Sequence, residues 1–314
     1  MQEAIDDFYR AQFEAMPEVK ESYDRLLGAE RRIVNLGDLD IIVQHNPARV
    51  RSTAAKVNAE DIEARPCFLC RKNRPEKQLA GTAIPDFEIL INPYPILPVH
   101  FTIVSKEHTP QKAMPLEMVD FVNMLPLCTA FFNGANAGAS APDHLHFQGV
   151  RCDEIPLLDK VSSLHTPDRG AILPSGSLGD FPMSFISVII PPDFTGMQLL
   201  SVLPTFSGVS DDAAMRRGLV NTFLWKAASG LLRAIVIPRK AHRPACYFAE
   251  GEERMMGSPG ALDMAGIIVT PRREDFERIS AEDIRRIYAE TGLTPDELTE
   301  YCKRPDIAQY IKKI

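Results

Sequence analysis

Three prolines, Pro93, Pro95 and Pro98, separate two short β-rich runs at residues 87–92 and 100–105. Proline has no backbone N–H and restricts the residue before it, so the gap can be neither helix nor ladder strand. Residues 91–108 therefore read as strand, rigid bend, strand, histidine, and such a bend can bring Asn92 and His108 toward one end of a sheet. Short strands recur along the chain. Residues 31–36 and 40–44 flank Gly37-Asp38, and residues 144–148 alternate His144, His146 and Gln148 on one face. Residues 183–190 form a strong strand. Residues 222–226 and 231–237 make a hairpin turning at Ser229-Gly230, and residues 265–269 are a further strand.

Helical spacing covers residues 2–27, broken at Pro17, and residues 116–133, kinked at Pro126. The end is helical too: Ser280 with Asp283, and Thr294-Pro295-Asp296-Glu297, have the form of capping boxes. Strands ahead of helices in each half predict an α+β fold with largely antiparallel sheets. Residues 151–180, rich in Pro, Ser, Asp and Gly, read as a long connection. They mark a soft boundary between a first domain at 1–160 and a second at 180–314, and 314 residues suit two domains of ordinary size. Both halves run strand, strand, helix in similar order, which is compatible with a degenerate internal duplication.

Composition narrows the function classes. No apolar run reaches the roughly 18–20 residues of a membrane span, and the acidic, interrupted first residues do not read as a signal peptide. A cytoplasmic protein without membrane partners is the expectation. Six cysteines in a long chain of this kind do not predict a disulfide framework. A net charge of −7 argues against a general nucleic-acid binder. It leaves open a phosphate-bearing small substrate, for which a few local arginines suffice.

Two motifs carry chemistry. In Asp143-His144-Leu145-His146-Phe147-Gln148, the two histidines at i and i+2 point the same way on a strand. The bland reading of such a pair is two ordinary surface or core histidines. A Gln at the next same-face position favours phosphate chemistry: its carboxamide can donate to non-bridging oxygens while a histidine attacks phosphorus. The second motif is Cys67-Phe68-Leu69-Cys70, half of many zinc sites. No second Cys-x-x-Cys exists, so histidines must complete a set, with His108 and His144 as candidates and His100 as a substitute for His108. Two free loop thiols are the alternative. A redox dithiol is less favoured, since no thioredoxin-type helix plainly follows Cys67. His45, His165 and His242 have no partner pattern and read as surface or satisfied histidines. Arg239-Lys240 after a strand is either a phosphate contact or a solvated pair, and Trp225 packs in the second core.

Taken in order, these signals resemble the histidine-triad superfamily, on its galactose-1-phosphate uridylyltransferase-like branch. Asn-Pro-Tyr-Pro-x-Leu-Pro-x-His at 92–100, a strand, and Lys-x-His at 106–108 look like histidine-triad proteins. Cys67-Phe68-Leu69-Cys70 followed by Ser-x-x-His at 105–108 looks like the zinc-binding uridylyltransferases. His144-x-His146-x-Gln148 resembles the transferase and phosphorylase branch, where Gln replaces the third histidine. His-Leu-His-Phe-Gln is also similar to phosphorylases that release a hexose 1-phosphate from a guanine-nucleotide sugar. The resemblance is specific over 45–150 and faint over 180–280, where Ile237-Pro238-Arg239-Lys240 and residues 266–277 are similar to the second half of those phosphorylases.

The resemblance implies histidine-triad-like antiparallel sheets flanked by helices, in two degenerate halves, and a ping-pong nucleotidyl transfer. His146 is then the nucleophile and Gln148 holds the phosphate. Asn92 contacts the nucleoside, Arg49 and Arg51 are substrate arginines, and Cys67, Cys70, His108 and His144 hold a structural zinc. The implied substrates are a nucleotide sugar or dinucleoside polyphosphate, with phosphate or a sugar phosphate as acceptor. A hydrolase using water, and a nucleotide-binding protein without turnover, are the competing readings. Two departures stand out. The family's phosphate-contacting serine falls on Ala141, with Ser140 one residue further back, and the guanine-nucleotide phosphorylases lack the Cys-x-x-Cys. Ser140 and Arg239 complete the candidate substrate residues.

Overall fold

The computed structural model describes residues 2–50, 59–151, 155–164 and 170–311. The chain opens with helices Gln2–Ala15 and Pro17–Leu27, parted at Met16-Pro17, followed by β1 (Arg31–Asn35) and β2 (Asp40–His45). Then come β3 (Phe87–Ile91), β4 (His100–Ser105), helix Met118–Met124, β5 (Cys128–Asn133) and β6 (His146–Arg151). The second half supplies β7 (Ala171–Pro174), β8 (Ile186–Ile190), β9 (Val220–Lys226), β10 (Leu232–Pro238) and β11 (Ile267–Thr270).

Eight of these strands form one antiparallel sheet in the order β3-β4-β6-β5-β9-β10-β8-β7. Read inward from either edge, the two halves repeat one strand order, and they meet where β5 pairs with β9. The strands are buried along their whole length, as in β3, β5 and β8, so they read as continuous apolar runs. Both faces are covered, which is why alternation is weak.

One face packs against a small sheet, β1-β2-β11, in which β11 runs parallel to β2, and against helices Pro156–Ser163 and Ala281–Thr291. Trp225 is buried in this layer. The other face takes helices Gln2–Ala15, Pro17–Leu27, Met118–Met124 and Pro295–Cys302. The fold is α+β, with both terminal helical segments on the same side of the large sheet. Ser280 and Thr294 close capping boxes with Asp283 and Glu297 as expected.

Four expectations need correction. Residues 116–133 are not one kinked helix: the helix stops at Met124 and residues 128–133 form β5. The run Phe121 to Phe132 satisfies helical spacing, but the sheet needs a strand between β6 and β9, and tertiary pairing overrides the periodicity. β6 begins at His146, so His144 lies in the bend before it and not on the strand face. Residues 151–180 contain a helix, Pro156–Ser163, and an edge strand, β7. The strand predicted at 183–190 spans only Ile186–Ile190.

Gly149 shows how closely the layers fit. It lies in β6 opposite Phe101 and Ala130, and a Cβ there would overlap the ring of the fully buried Phe121. Gly149→Ala should destabilise by about 1–3 kcal/mol, the usual cost of overpacking. Phe121→Leu should cost less in that background than in wild type. Urea unfolding of the four proteins measures the coupling, and additive costs would remove the ring from the explanation.

Candidate active site

His146 opens β6 between β4 and β5, opposite Val104. Its main chain is gripped by Gln111, a buried side chain from the loop before helix Met118–Met124. The Gln111 carboxamide oxygen accepts the His146 N–H at 2.9 Å, and its nitrogen donates to the carbonyls of His146 and Asn133 at 2.9 and 2.7 Å. The His146 ring Nδ1 lies 2.8 Å from the His144 carbonyl. A carbonyl can only accept, so Nδ1 carries the proton and Nε2 keeps its lone pair. Burial holds the ring neutral, lowering its pKa to about 4.

Gln148 follows on the same face, and its amide is oriented by His100. The His100 Nδ1 accepts the Ile96 N–H at 3.1 Å, so its Nε2–H donates to the Gln148 Oε1 at 2.8 Å. The Gln148 amide nitrogen is thereby the end left to act as donor, and Gln148 lines a cleft. Asn92 supports this pair from β3's end. Its nitrogen donates to Thr102 Oγ1 at 3.1 Å, and its oxygen accepts the Tyr94 N–H at 2.9 Å. Asn92 thus braces the proline-rich bend beneath Gln148.

The cleft lies between the two halves. Arg49, Ser140, Phe131 and Gln148 line it on one side, and His242, Arg243, Ser258 and Asp263 on the other. One close backbone approach here requires glycine at 138: Gly138 has φ +95°, and a Cβ there would stand 2.6 Å from the Gly260 Cα. Arg49 donates to the Tyr94 carbonyl at 2.8 Å, and burial lowers its pKa to about 10, so it remains cationic at neutral pH. Asp263 accepts backbone N–H groups from Gly260 and Val269 at 3.0 Å each, and burial pushes its pKa up. His146 itself is buried and does not contribute to the lining.

A second corner adjoins the first. The Cys67 and Cys70 sulfurs and one nitrogen each of His108 and His144 all lie within 4.8 Å of one another, a group that could hold a metal ion. Cys67 Sγ is 3.3 Å from His144 Nδ1, and Cys70 Sγ is 3.2 Å from His108 Nδ1. His144 Nε2 lies 2.8 Å from the Ser105 carbonyl and so carries the proton, which turns the Nδ1 lone pair toward the thiols. This is the tautomer and outer-shell support expected of a metal-ligating histidine. Burial pushes the Cys67 thiol up to about 11, which a divalent cation would reverse. The loop is anchored by buried Glu88 to Arg71 and Arg74, and by Arg65 to Asp143 at 2.9 Å.

Gln148, Arg49 and Ser140 line the cleft, Asn92 and His146 are buried next to Gln148, and the four thiol and imidazole groups form their own cluster. Arg51 and His165 lie outside the described residues. Arg239 does not join the cleft. It is fully buried and donates to Asn221 Oδ1 and to the carbonyls of Thr291, Pro259, Ala241 and His242, which commits its guanidinium to holding the second half together. His45 is a satisfied histidine on the Thr270 carbonyl. His100 entered the sequence reading only as a substitute metal ligand, and Gln111 and Asp263 did not enter it. The first carried a signal, a histidine placed directly after a proline-rigid bend; the other two carried none.

The second half holds no copy of the His146–Gln148 pair. The row Gln148, Phe131, Phe223, Ile235 crosses β6, β5, β9 and β10, so Ile235 stands where symmetry would require a second glutamine.

The family described as Domain of unknown function (DUF4922) matches residues 8–151. No curated protein sequence matches the chain. Among solved structures, the yeast Ap4A phosphorylase Apa2 in complex with Ap4A is 18% identical, covers 89% of this chain and 97% of its own, and superposes with a TM-score of 0.56. The same enzyme with AMP gives 13% identity, 89% and 96% coverage and a TM-score of 0.54. An Arabidopsis thaliana ADP-glucose phosphorylase with bound ADP-glucose is 14% identical over 82% of this chain and 98% of its own, with a TM-score of 0.36. The chain thus shares its overall fold with the yeast Ap4A phosphorylase.

Buried neutral histidines make stability depend on pH. Burial, with Arg49 nearby, lowers His100 from 6.5 to about 3, and burial with Arg243 and Arg239 lowers His242 likewise to about 3. The unfolded chain binds these protons first, so stability is full above pH 6.5 and is lost as pH falls toward 3. The loss should reach a few kcal/mol per group across that window. Urea midpoints measured from pH 7 to 4 should fall, and His242→Asn should shallow the slope; a flat profile would contradict the assignment.

Proposed function

We propose that this protein transfers a nucleotidyl group from a dinucleoside polyphosphate or nucleotide sugar to phosphate or a sugar phosphate, through a covalent adduct on His146. The observation that carries the reading is the pair of fixed proton positions: His146 presents Nε2 unprotonated, and Gln148 is turned by His100 so that its amide nitrogen is the free end. A neutral imidazole is the nucleophile such a reaction needs, and an oriented carboxamide donor suits the charge that builds on phosphate oxygens. On this reading residues 1–160 supply the reacting groups and residues 180–314 supply the opposite wall.

In the first step, the Nε2 lone pair attacks the α-phosphorus. An N–P bond forms, the P–O bond to the departing group breaks, and its electron pair leaves with that oxygen. The Nδ1–H on the His144 carbonyl stabilises the positive charge that appears on the ring. Gln148 donates to a non-bridging oxygen. In the second step an acceptor oxygen attacks phosphorus, and the pair returns to Nε2. Arg49 supplies a local cation in a chain of net charge −7, Ser140 adds to the cleft wall, and Asn92 supports Gln148 from beneath. A zinc ion held by Cys67, Cys70, His108 and His144 would tie the loop to β6 and keep no open position, so its part is structural. Among the described residues no helix is long and apolar enough to cross a membrane, in keeping with a proposed cytoplasmic role.

His146→Ala should abolish turnover on a confirmed substrate while metal content and folding stay near wild type. An α-labelled substrate given without acceptor should leave an acid-labile label on His146; label elsewhere, or substantial activity in His146→Ala, would overturn the mechanism. Nucleotide release that does not depend on phosphate or sugar phosphate would move the protein to the hydrolases. Arg49→Ala should weaken nucleotide binding by on the order of 1.5–3 kcal/mol, as for a charged hydrogen bond, and unchanged titration calorimetry would place Arg49 among structural groups. Elemental analysis should find close to one zinc per chain, lost in Cys67→Ser, whereas a metal-free wild type of equal stability would refute the metal site.

A further inference from the structure

We infer that the N-terminal helical pair is part of the catalytic apparatus: Tyr9 and Tyr23 are positioning residues that hold Gln148 through His100. The kinetic side of this inference rests on the transfer reaction proposed above.

His100 is the first residue of β4, where the β3–β4 ladder ends. Its carbonyl still accepts the Asn92 N–H at 2.9 Å. Its own N–H leaves the ladder and is donated to the Tyr9 hydroxyl at 2.7 Å. The Tyr23 hydroxyl donates to the His100 carbonyl at 3.1 Å, and the Tyr9 hydroxyl lies 3.3 Å from both that carbonyl and the Tyr23 hydroxyl. Both main-chain polar groups of His100, one from each of its two flanking peptide units, are thus held by two phenols. Tyr9 packs edge-on against Phe101 and Tyr23, with centroids 5.6 and 5.4 Å away, so the hydroxyls have little freedom.

The two contacts come from opposite faces. Tyr9 and Tyr23 belong to the layer under the sheet, with Phe101 and Phe121. The His100 ring projects the other way, 6.1 Å from Phe131, and its Nε2–H bonds the Gln148 oxygen. Holding the His100 main chain from behind fixes where its ring stands in front, and so which way the Gln148 amide points. The Asn92 and Ile96 contacts act on the same ring from the proline-rich bend, whereas the phenols hold the His100 main chain. Burial raises both phenols well above their usual pKa, so the clamp persists at all working pH values.

Two bland tyrosines that merely satisfy their hydroxyls would have a different signature. Tyr301 provides the control. It is a buried phenol in the same layer, bonded to the Ser207 carbonyl at 2.8 Å, and far in sequence from the site. Tyr9→Phe, Tyr23→Phe and Tyr301→Phe each remove one buried hydroxyl and keep the ring. All three should unfold at lower urea than wild type. Only the first two should move or broaden the Gln148 side-chain amide signal in ¹⁵N-labelled protein, assigned with Gln148→Glu, a readout that needs no substrate. On a confirmed substrate, Tyr9→Phe should lower kcat on the order of tenfold or more with KM nearly unchanged, as for misplacement of a catalytic group. Tyr301→Phe should leave kcat intact. If Tyr9→Phe does not fold, Tyr23→Phe carries the test. A Gln148 amide signal unchanged in both, with kcat as in Tyr301→Phe, would overturn the inference. A shifted amide signal in a protein that turns over no nucleotide would support the clamp and refute the transfer reaction instead.

Discussion

Which nitrogen of each histidine bears the proton governs the chemistry of this site, and in each case a main-chain group decides it. The His144 and Ser105 carbonyls can only accept, and the Ile96 N–H can only donate. Three rings are therefore locked in defined tautomers: His146 with Nε2 open, His144 with Nδ1 open toward the thiols, and His100 with Nε2–H directed at Gln148. None of these locks requires a charged partner, so burial can strip the rings of protons without leaving a polar group unpaired. His144 joins the two corners. Its ring belongs to the thiol cluster and its carbonyl to the His146 ring.

That arrangement depends on the large sheet. β6 lies between β4 and β5, and each neighbour contributes: β4 brings His100 and Thr102 to Gln148, and β5 brings Asn133 to the Gln111 bracket. The β5–β9 junction makes the two halves one sheet, which is why His242, Ser258 and Asp263 can face residues from the first half across a cleft. Strand order repeats but the glutamine does not, so the histidine–glutamine pair belongs to the first half alone among the described residues. The second half has put its polar capacity into Arg239, whose buried guanidinium ties together strands and loops.

Much of the site was legible because its chemistry is packed into short segments. His146 and Gln148 are two residues apart, Cys67 and Cys70 three, and the proline bend places His100 and His108 at the two ends of one strand. One expectation fails: Asn92 meets the start of β4 and His108 follows its far end, so the bend does not bring those two toward one end of the sheet. Legibility failed where a role depends on chain segments distant in sequence. Gln111 is one ordinary residue in a loop, and its importance comes from 35 residues of separation closed by the fold. β5 read as helix because its apolar residues satisfy both periods, and only the vacancy between β6 and β9 selects the strand. Arg239 read as a phosphate contact or a solvated charge because a basic residue after a strand is usually exposed, and here it is not.

The sequence by itself determined the classes of group present and their local order: an α+β chain, a thiol pair, a histidine–glutamine strand, a proline-rigid turn and capped terminal helices. These follow from nearest-neighbour physics, in which spacing of a few residues sets direction and backbone preference. The tertiary structure alone decided which groups act on one another. Proton positions on three histidines, the orientation of Gln148, the burial of Arg239 and the approach of Asp263 to the cleft all come from contacts between segments far apart in the chain. Such contacts are settled by packing and by the requirement that every buried polar group find a partner, and no local pattern in the sequence encodes them.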